Sequence, residues 1–319
     1  MHPNRALMRL YNVIRPLALL ALAASFAFAQ APKVGDINFY GLHKLTADEL
    51  LASLALHPGD PIPRSKGDLE QRIGEYPAVA DARVEAICCQ GPNAALFIGI
   101  EEEGAPRFET RPEPTGNGVL PEDILEHYHN YTAAIARVPG AEVPRDETAF
   151  TAFAADQLTL LRDVLRESSE ADQRAAAAII IAYAPKKAAI VGDLQYALKD
   201  PDDTVRANAI RSLRRVAPGL KVDPAVLVEM LDSIALNDRV QAAQALVALT
   251  EQRDRATLDA VRERGVPALV EMARWKTSDY ARPAFVLLGR SAGIVEPQIQ
   301  DAWRKGDREA VIRKAAGER

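Results

Sequence analysis

The chain has 319 residues, room for about two domains, and 39 Lys+Arg against 44 Asp+Glu give a net charge of −5. A mildly acidic, mixed-charge composition argues against a nucleic-acid binder and supplies no field to draw the protein onto anionic lipid. Aromatic residues make up only 6% of the chain, which suits close helix packing better than an aromatic-lined pocket.

The first segment reads as a secretory leader. Arg5, Arg9 and Arg15 form a positive start, Leu17 to Phe28 is uncharged and rich in Ala and Leu, and Ala27-Phe28-Ala29 is a small-residue cleavage box before Gln30. That is the layout of a signal peptide over residues 1–29. The apolar run falls short of the ~20 residues that span a bilayer, so cleavage is expected in preference to a retained anchor. Cleavage removes three arginines and no acid, taking Lys+Arg from 39 to 36 against 44 acids, a net charge of −8. A periplasmic or exported protein follows, with peripheral attachment at the outer membrane as the membrane association left open.

Residues 34–103 alternate between strand and helix patterns. Ile37 and Phe39 alternate with Asn38 and Tyr40, as in a half-buried strand, and Gly41 ends the run. Thr46-Ala47-Asp48-Glu49 is a capping box that opens a helix with Leu50, Leu51 and Leu54 inward. A second helix starts near Ser65, places Leu69 and Ile73 inward and stops before Pro77. Ala82 to Ile87 alternates polar and apolar residues and suits a sheet edge. Ala95 to Ile100 is apolar on both faces and suits the middle of a sheet. The two cysteines, Cys88 and Cys89, are adjacent. Neighbours on a strand point to opposite faces, so two separated thiols are expected, with no redox or metal role.

The order β-α-α-β-β resembles a POTRA (polypeptide-transport-associated) domain. The resemblance rests on Ile37-x-Phe39-x-Gly41, Thr46-Ala47-Asp48-Glu49-Leu50-Leu51 and Leu56-x-Pro58-Gly59-Asp60, followed by Val79 to Val84 and Leu96-x-Ile98-x-Ile100-Glu101. POTRA domains occur in barrel-assembly proteins, two-partner secretion pores and cell-division proteins of the FtsQ type. They bind other polypeptides, often by offering a sheet edge to an added strand. The resemblance implies a protein-binding module whose candidate edge is Arg83, Val84 and Glu85. Only one such unit is present, and no barrel pattern follows it.

Residues 104–147 form a connector. Prolines and glycines between Gly104 and Gly118 mark a linker, and a helix begins at Pro121-Glu122-Asp123. His127 and His129 lie two positions apart on it and project about 200° apart, poor geometry for a shared metal.

From residue 148 the chain repeats itself. Asp202 to Leu213 has copies at Asp172 to Ala178, Asp238 to Leu246 and Tyr280 to Leu287, and aligning Arg174, Arg206, Arg239 and Tyr280 gives spacings of 32, 33 and 41 residues. Such periods mark helical pairs that bury their apolar faces only by stacking into a solenoid. The copy Asp200-Pro201-Asp202-Asp203-Thr204-Val205-Arg206-x-x-Ala209-Ile210-x-x-Leu213 resembles a HEAT repeat, closest to the bacterial variety shared with phycobilin-lyase-like proteins. The resemblance covers residues 148–319 and implies a scaffold. Asp202, Asp203 and Asp238 are expected to cap helices or pair with arginines of the next repeat. Arg211, Arg214 and Arg215 make a local basic cluster and are the candidate surface of this half.

Neither a nucleophile elbow, a phosphate-cradling loop nor a zinc helix is present, so no catalytic, metal or cofactor residue is assigned. The expected fold is α+β, a β-α-α-β-β domain followed by an all-α repeat solenoid. The expected function is a non-enzymatic envelope scaffold that binds polypeptides and not nucleic acid, in outer-membrane protein assembly or secretion. The alternatives are a HEAT-type maturation factor or enzyme with a docking domain, and a cell-division component with a retained anchor.

Overall fold

A computed structural model describes residues 32–90, 93–138 and 142–317. The leader reading of residues 1–29 lies outside them. The first unit holds strand β1 (Lys33–Tyr40), helices α1 (Ala47–Leu54) and α2 (Lys66–Gly74), and strands β2 (Val79–Gln90) and β3 (Asn93–Glu102). The capping box forms as the residues require: the Thr46 hydroxyl accepts from the Glu49 N–H, and the Glu49 carboxylate accepts from the Thr46 N–H. Ser65 caps α2 by accepting from the Asp68 N–H.

The sheet order is β1-β3-β2, with β1 parallel and β2 antiparallel to β3. The all-apolar strand is therefore central and the mixed strand lies at an edge. Alternation sorts the side chains by face. Phe39, Val84, Leu96, Ile98 and Ile100 pack on Leu50, Leu54, Leu69 and Ile73 of the two helices. Each such burial contributes about 1.5–3 kcal/mol. Tyr40 and Phe97 face the other way and belong to the apolar cluster of the helical region. β1 is thus buried on both faces, where its polar alternation had suggested one exposed side: Asn38 is 4% and Tyr40 0% exposed. The reason is that both polar groups find partners in the helical region, so burial leaves no unmet hydrogen bond.

The β2–β3 register shifts between Ile87 and Gln90. The regular alternation that would hold neighbouring thiols apart is lost there, and the expectation of separated thiols is not met: Cys88 is disulfide-bonded and exposed.

The rest of the chain is helical. Helices α3 (Glu122–Arg137) and α4 (Pro144–Asp156) precede pairs formed by α5 (Leu158–Glu167) with α6 (Ala171–Ile180), α7 (Val191–Ala197) with α8 (Asp203–Val216), and α9 (Ala225–Glu229) with α10 (Leu236–Leu249). Helices α11 (Arg255–Ala260) and α12 (Val266–Ala273), joined by a π-helical turn, pair with α13 (Ser278–Ser291), and α14 (Glu296–Lys305) and α15 (Arg308–Ala316) end the stack. Small side chains allow the close approach: Ala175, Ala176, Ala177 and Ala178 of α6 and Ala242, Ala243 and Ala245 of α10 are all buried. No helix of the described residues is long and apolar enough to cross a membrane.

The connector is bonded along its length. The Arg111 N–H donates to the Lys199 carbonyl at 2.7 Å, the Gly116 N–H to the Glu167 carbonyl at 2.8 Å, and the Ser169 N–H returns to the Gly116 carbonyl at 2.7 Å. A Cβ at position 116 would stand 2.5 Å from the Glu167 oxygen, so only glycine permits this approach.

Glu102 pins the turn after β1. Its buried carboxylate accepts from the backbone N–H groups of His43, Lys44 and Leu45 at 2.8, 2.7 and 3.0 Å. Burial alone would raise its pKa, and the three donors outweigh burial and hold it below the usual carboxylate range. A folded pKa below the unfolded one stabilises the fold above the unfolded value and loses that stability as pH falls through the folded value. Glu102→Gln should cost about 1–3 kcal/mol at neutral pH, and the gap should close in acid. Urea unfolding across a pH series reads this, and a pH-independent gap would assign the loss to shape instead of charge.

Candidate functional site

The repeat arginines are buried and bonded in a ladder. Arg174, Arg206 and Arg239 are 0, 5 and 3% exposed. Arg174 holds Asp200 through two bonds of 3.0 Å and donates to the carbonyls of Ser168 and Ser169. Arg206 pairs with Asp238 at 2.8 and 2.9 Å and donates to the carbonyls of Asp200 and Pro201. Arg239 donates to the Ser233 carbonyl and pairs with Glu271 at 3.4 Å. Each guanidinium thus closes a turn of its own repeat and reaches an acid further along the chain. Asp202 caps α8 by accepting from Thr204 and Val205, as expected, whereas Asp238 pairs with the preceding repeat's Arg206 instead of the next one's arginine and Asp203 pairs with Arg83 of the sheet.

In the third rung the pattern changes. The Ile234 carbonyl, counterpart of those of Ser169 and Pro201, accepts instead from the Tyr40 hydroxyl of β1 at 2.8 Å. The Arg239 guanidinium lies 4.8 Å from the Tyr40 ring centre. Glu271 also accepts from the N–H groups of Gly41 and Leu42. Burial pushes the Glu271 carboxyl up, opposed by Arg239 and these two donors. Tyr40 lies over the bare Cα of Gly99, where a Cβ would come within 2.5 Å of its ring. The Trp275 indole N–H donates to the Phe39 carbonyl at 3.1 Å, and the Asn38 amide bonds the Lys276 N–H and the Thr277 hydroxyl. Phe97 stacks 5.1 Å from both Trp275 and Tyr280. Tyr280 occupies the fourth ladder position in the sequence, so the sheet docks where the arginine series ends.

The candidate edge is part of this dock. Arg83 pairs with Asp203 at 3.1 Å and with Glu85 at 3.7 Å. Glu85 accepts from the Leu236 N–H at 3.3 Å. The Val84 N–H donates to the Glu70 carboxylate of α2 at 2.7 Å. An added strand at Arg83–Glu85 has to displace Glu70 from that N–H.

The three candidate arginines of α8 open onto different hollows. Arg215 stacks 4.0 Å from the Tyr183 ring and pairs with Glu147 at 3.2 Å beside α4. Arg214 donates to the Gln244 side chain at 3.0 Å in a groove of about 350 Å³ whose other wall is Arg282, Val286 and Gln300. Arg211 lines a hollow of about 460 Å³ between α3, α8 and the start of α10. Tyr128 and Asn208, which sequence reading did not single out, meet there with 3.1 Å between the hydroxyl oxygen and the amide nitrogen. Their signal was Asn208 itself, a short amide where the aligned copies carry Ala176 and the longer amide of Gln241. His127 and His129 diverge as expected: one pairs with Asp146 at 2.7 Å, the other with Asp172 at 2.9 Å. Among the described residues no group of three or more His, Cys, Asp or Glu is placed to hold a metal.

Residues 158–248, from α5 to α10, match the family model of HEAT repeats. No curated protein matches the chain. The helical-repeat region and the three-stranded sheet before it are therefore the architecture on which function is built.

Trp275→Ala removes the ring between Tyr40 and Phe97 together with a bond to β1. It should cost about 3–5 kcal/mol and separate the melting of the sheet from that of the helices. Calorimetry and chemical unfolding check this; one unchanged cooperative transition would show that the dock does not couple the two parts.

Proposed function

We propose that the protein is an exported, non-enzymatic scaffold that holds other polypeptides in the bacterial cell envelope, in outer-membrane protein assembly or secretion. The observation that carries this reading is the division of labour around the HEAT-repeat region. Its helix N-terminal edge is consumed by the docked sheet and the connector, while the face formed by α8, α10 and α13 keeps open hollows with exposed Arg211, Arg214 and Arg282. Stacked helical pairs present extended surfaces of this kind to partners.

The β-α-α-β-β order and the motif residues support a POTRA-like identity for the first unit, a module class that binds polypeptides. With Arg83 and Glu85 engaged by the helical region and Val84 covered by Glu70, the helix face is the first surface open to a partner. The edge Arg83–Glu85 becomes a second one once the dock loosens. A leader over residues 1–29 supports the periplasmic location. A second reading, a maturation factor, draws on the ligand-sized hollow in which His129 meets Asp172.

A photo-crosslinking residue at Gln244, on the open face, should capture polypeptides in the native envelope, and one at Arg83, on the docked sheet edge, should capture far less. Capture confined to Arg83 would move the binding surface to the sheet edge. Capture from neither position, with a small molecule co-purifying, would favour the maturation factor.

A further inference from the structure

The geometry points to a specific kind of partner for the hollow at Arg211: the free C-terminal carboxylate of a polypeptide. This deepens the scaffold reading and rests on it. Asn208 on α8 is 4% exposed. A buried amide is costly unless bonded, and its Nδ2 hydrogens are both used, on the Tyr128 hydroxyl at 3.1 Å and the Ala175 carbonyl at 3.0 Å. Its Oδ1 accepts from no donor among the described residues, yet Asn208 lines the hollow. An acceptor is left facing the space.

Tyr128 is equally buried, at 4% exposed. Its hydroxyl oxygen accepts from Asn208, and its own hydrogen reaches no acceptor among the described residues. Burial pushes its pKa up, so it stays a donor at physiological pH. Arg211 stands one turn beyond Asn208, exposed, with no carboxylate within 4.0 Å among the described residues. The acids that share the hollow are occupied: Asp172 by His129 and Asp203 by Arg83.

The hollow therefore offers a planar cation and a buried hydroxyl donor beside the Asn208 amide acceptor, with Asn237 and Thr204 also on its wall. A carboxylate takes the guanidinium and the hydroxyl, and an amide N–H next to it meets Asn208 Oδ1. A carboxylate with an adjacent amide N–H is the end of a polypeptide chain. Ile135 and Ala136 line the same hollow and give the terminal side chain an apolar wall. The volume, about 460 Å³, is in the class of small-ligand pockets, which suits a chain end better than a long segment.

The test uses the immobilised full chain and a pool of degenerate hexapeptides, offered once as free acids and once as C-terminal amides, with retention read by mass spectrometry. The free acids should be retained about tenfold better, the scale of a lost charge-assisted bond. Arg211→Gln, at an exposed position that leaves the melting curve unchanged, should bring them down to the level of the amides. Tyr128→Phe should act in the same direction. Equal retention of the two pools, or free-acid retention unaffected by Arg211→Gln, overturns the proposal. Complete displacement by an equal concentration of acetate also overturns it, since the site would then take any small carboxylate. If neither pool is retained while crosslinks from Gln244 persist, the C-terminal assignment falls and the scaffold stands. If both are lost, both fall.

Discussion

The repeat arginines Arg174, Arg206 and Arg239 lie inside this protein, and a charge in an apolar interior is tolerated only when it is paired and hydrogen-bonded. That constraint organises the helical region. Arg174 and Arg206 close the turn before their own helices through carbonyls five and six residues back, Arg239 does so through the carbonyl six back, and each takes a carboxylate from further along. Asp200 and Asp238 are themselves fully buried, so one repeat without the next would strand both partners. The ladder therefore specifies neighbour order in the stack, a role that alanine-rich helix faces cannot fill because they pack interchangeably.

The same constraint explains the place of the sheet. Arg239 needs partners as its predecessors do, but one of its two expected carbonyls is given to Tyr40 and its acid, Glu271, is shared with the turn after β1. The sheet enters as a surrogate repeat. Its far face is closed by α1 and α2, its near face by Tyr40, Phe97 and Trp275, and its β2 edge by Glu70 at Val84. Unpaired strand edges invite association with other strands, and Glu70 answers that hazard at one backbone group. What stays open is the helix face, where the exposed arginines are.

Local structure was readable in the residues wherever its cause was local. Thr46 and Ser65 cap the helices they precede, the all-apolar β3 is central, and Asp202 caps the helix that follows it. The dock was not readable, because its pairs are far apart: Asn38 meets Thr277, and Arg83 meets Asp203. Alternation in β1 was read correctly as periodicity and too simply as exposure, since nothing in Asn38 or Tyr40 announces a partner beyond residue 230. Arg211, Arg214 and Arg215 lie at spacings of three and four residues that share a helix face, but the elements packed around α8 part them among separate hollows. The pairing of Tyr128 with Asn208 depends on α3 folding back across the stack, which a proline-marked connector does not disclose.

The Asn38–Thr277 bond spans 239 residues, and its length has a kinetic meaning. The α/β unit leaves the ribosome long before Glu271, Trp275 and Tyr280 are made, so the dock cannot contribute while most of the chain is being synthesised. The unit then depends on its own small cluster beneath α1 and α2, with Tyr40 and Phe97 presented to water. Contacts of such long sequence separation form late and slowly, whereas the helical pairs assemble from near neighbours as they emerge. Until the chain is complete, the face that becomes the dock is an apolar patch of the sort that holding chaperones cover.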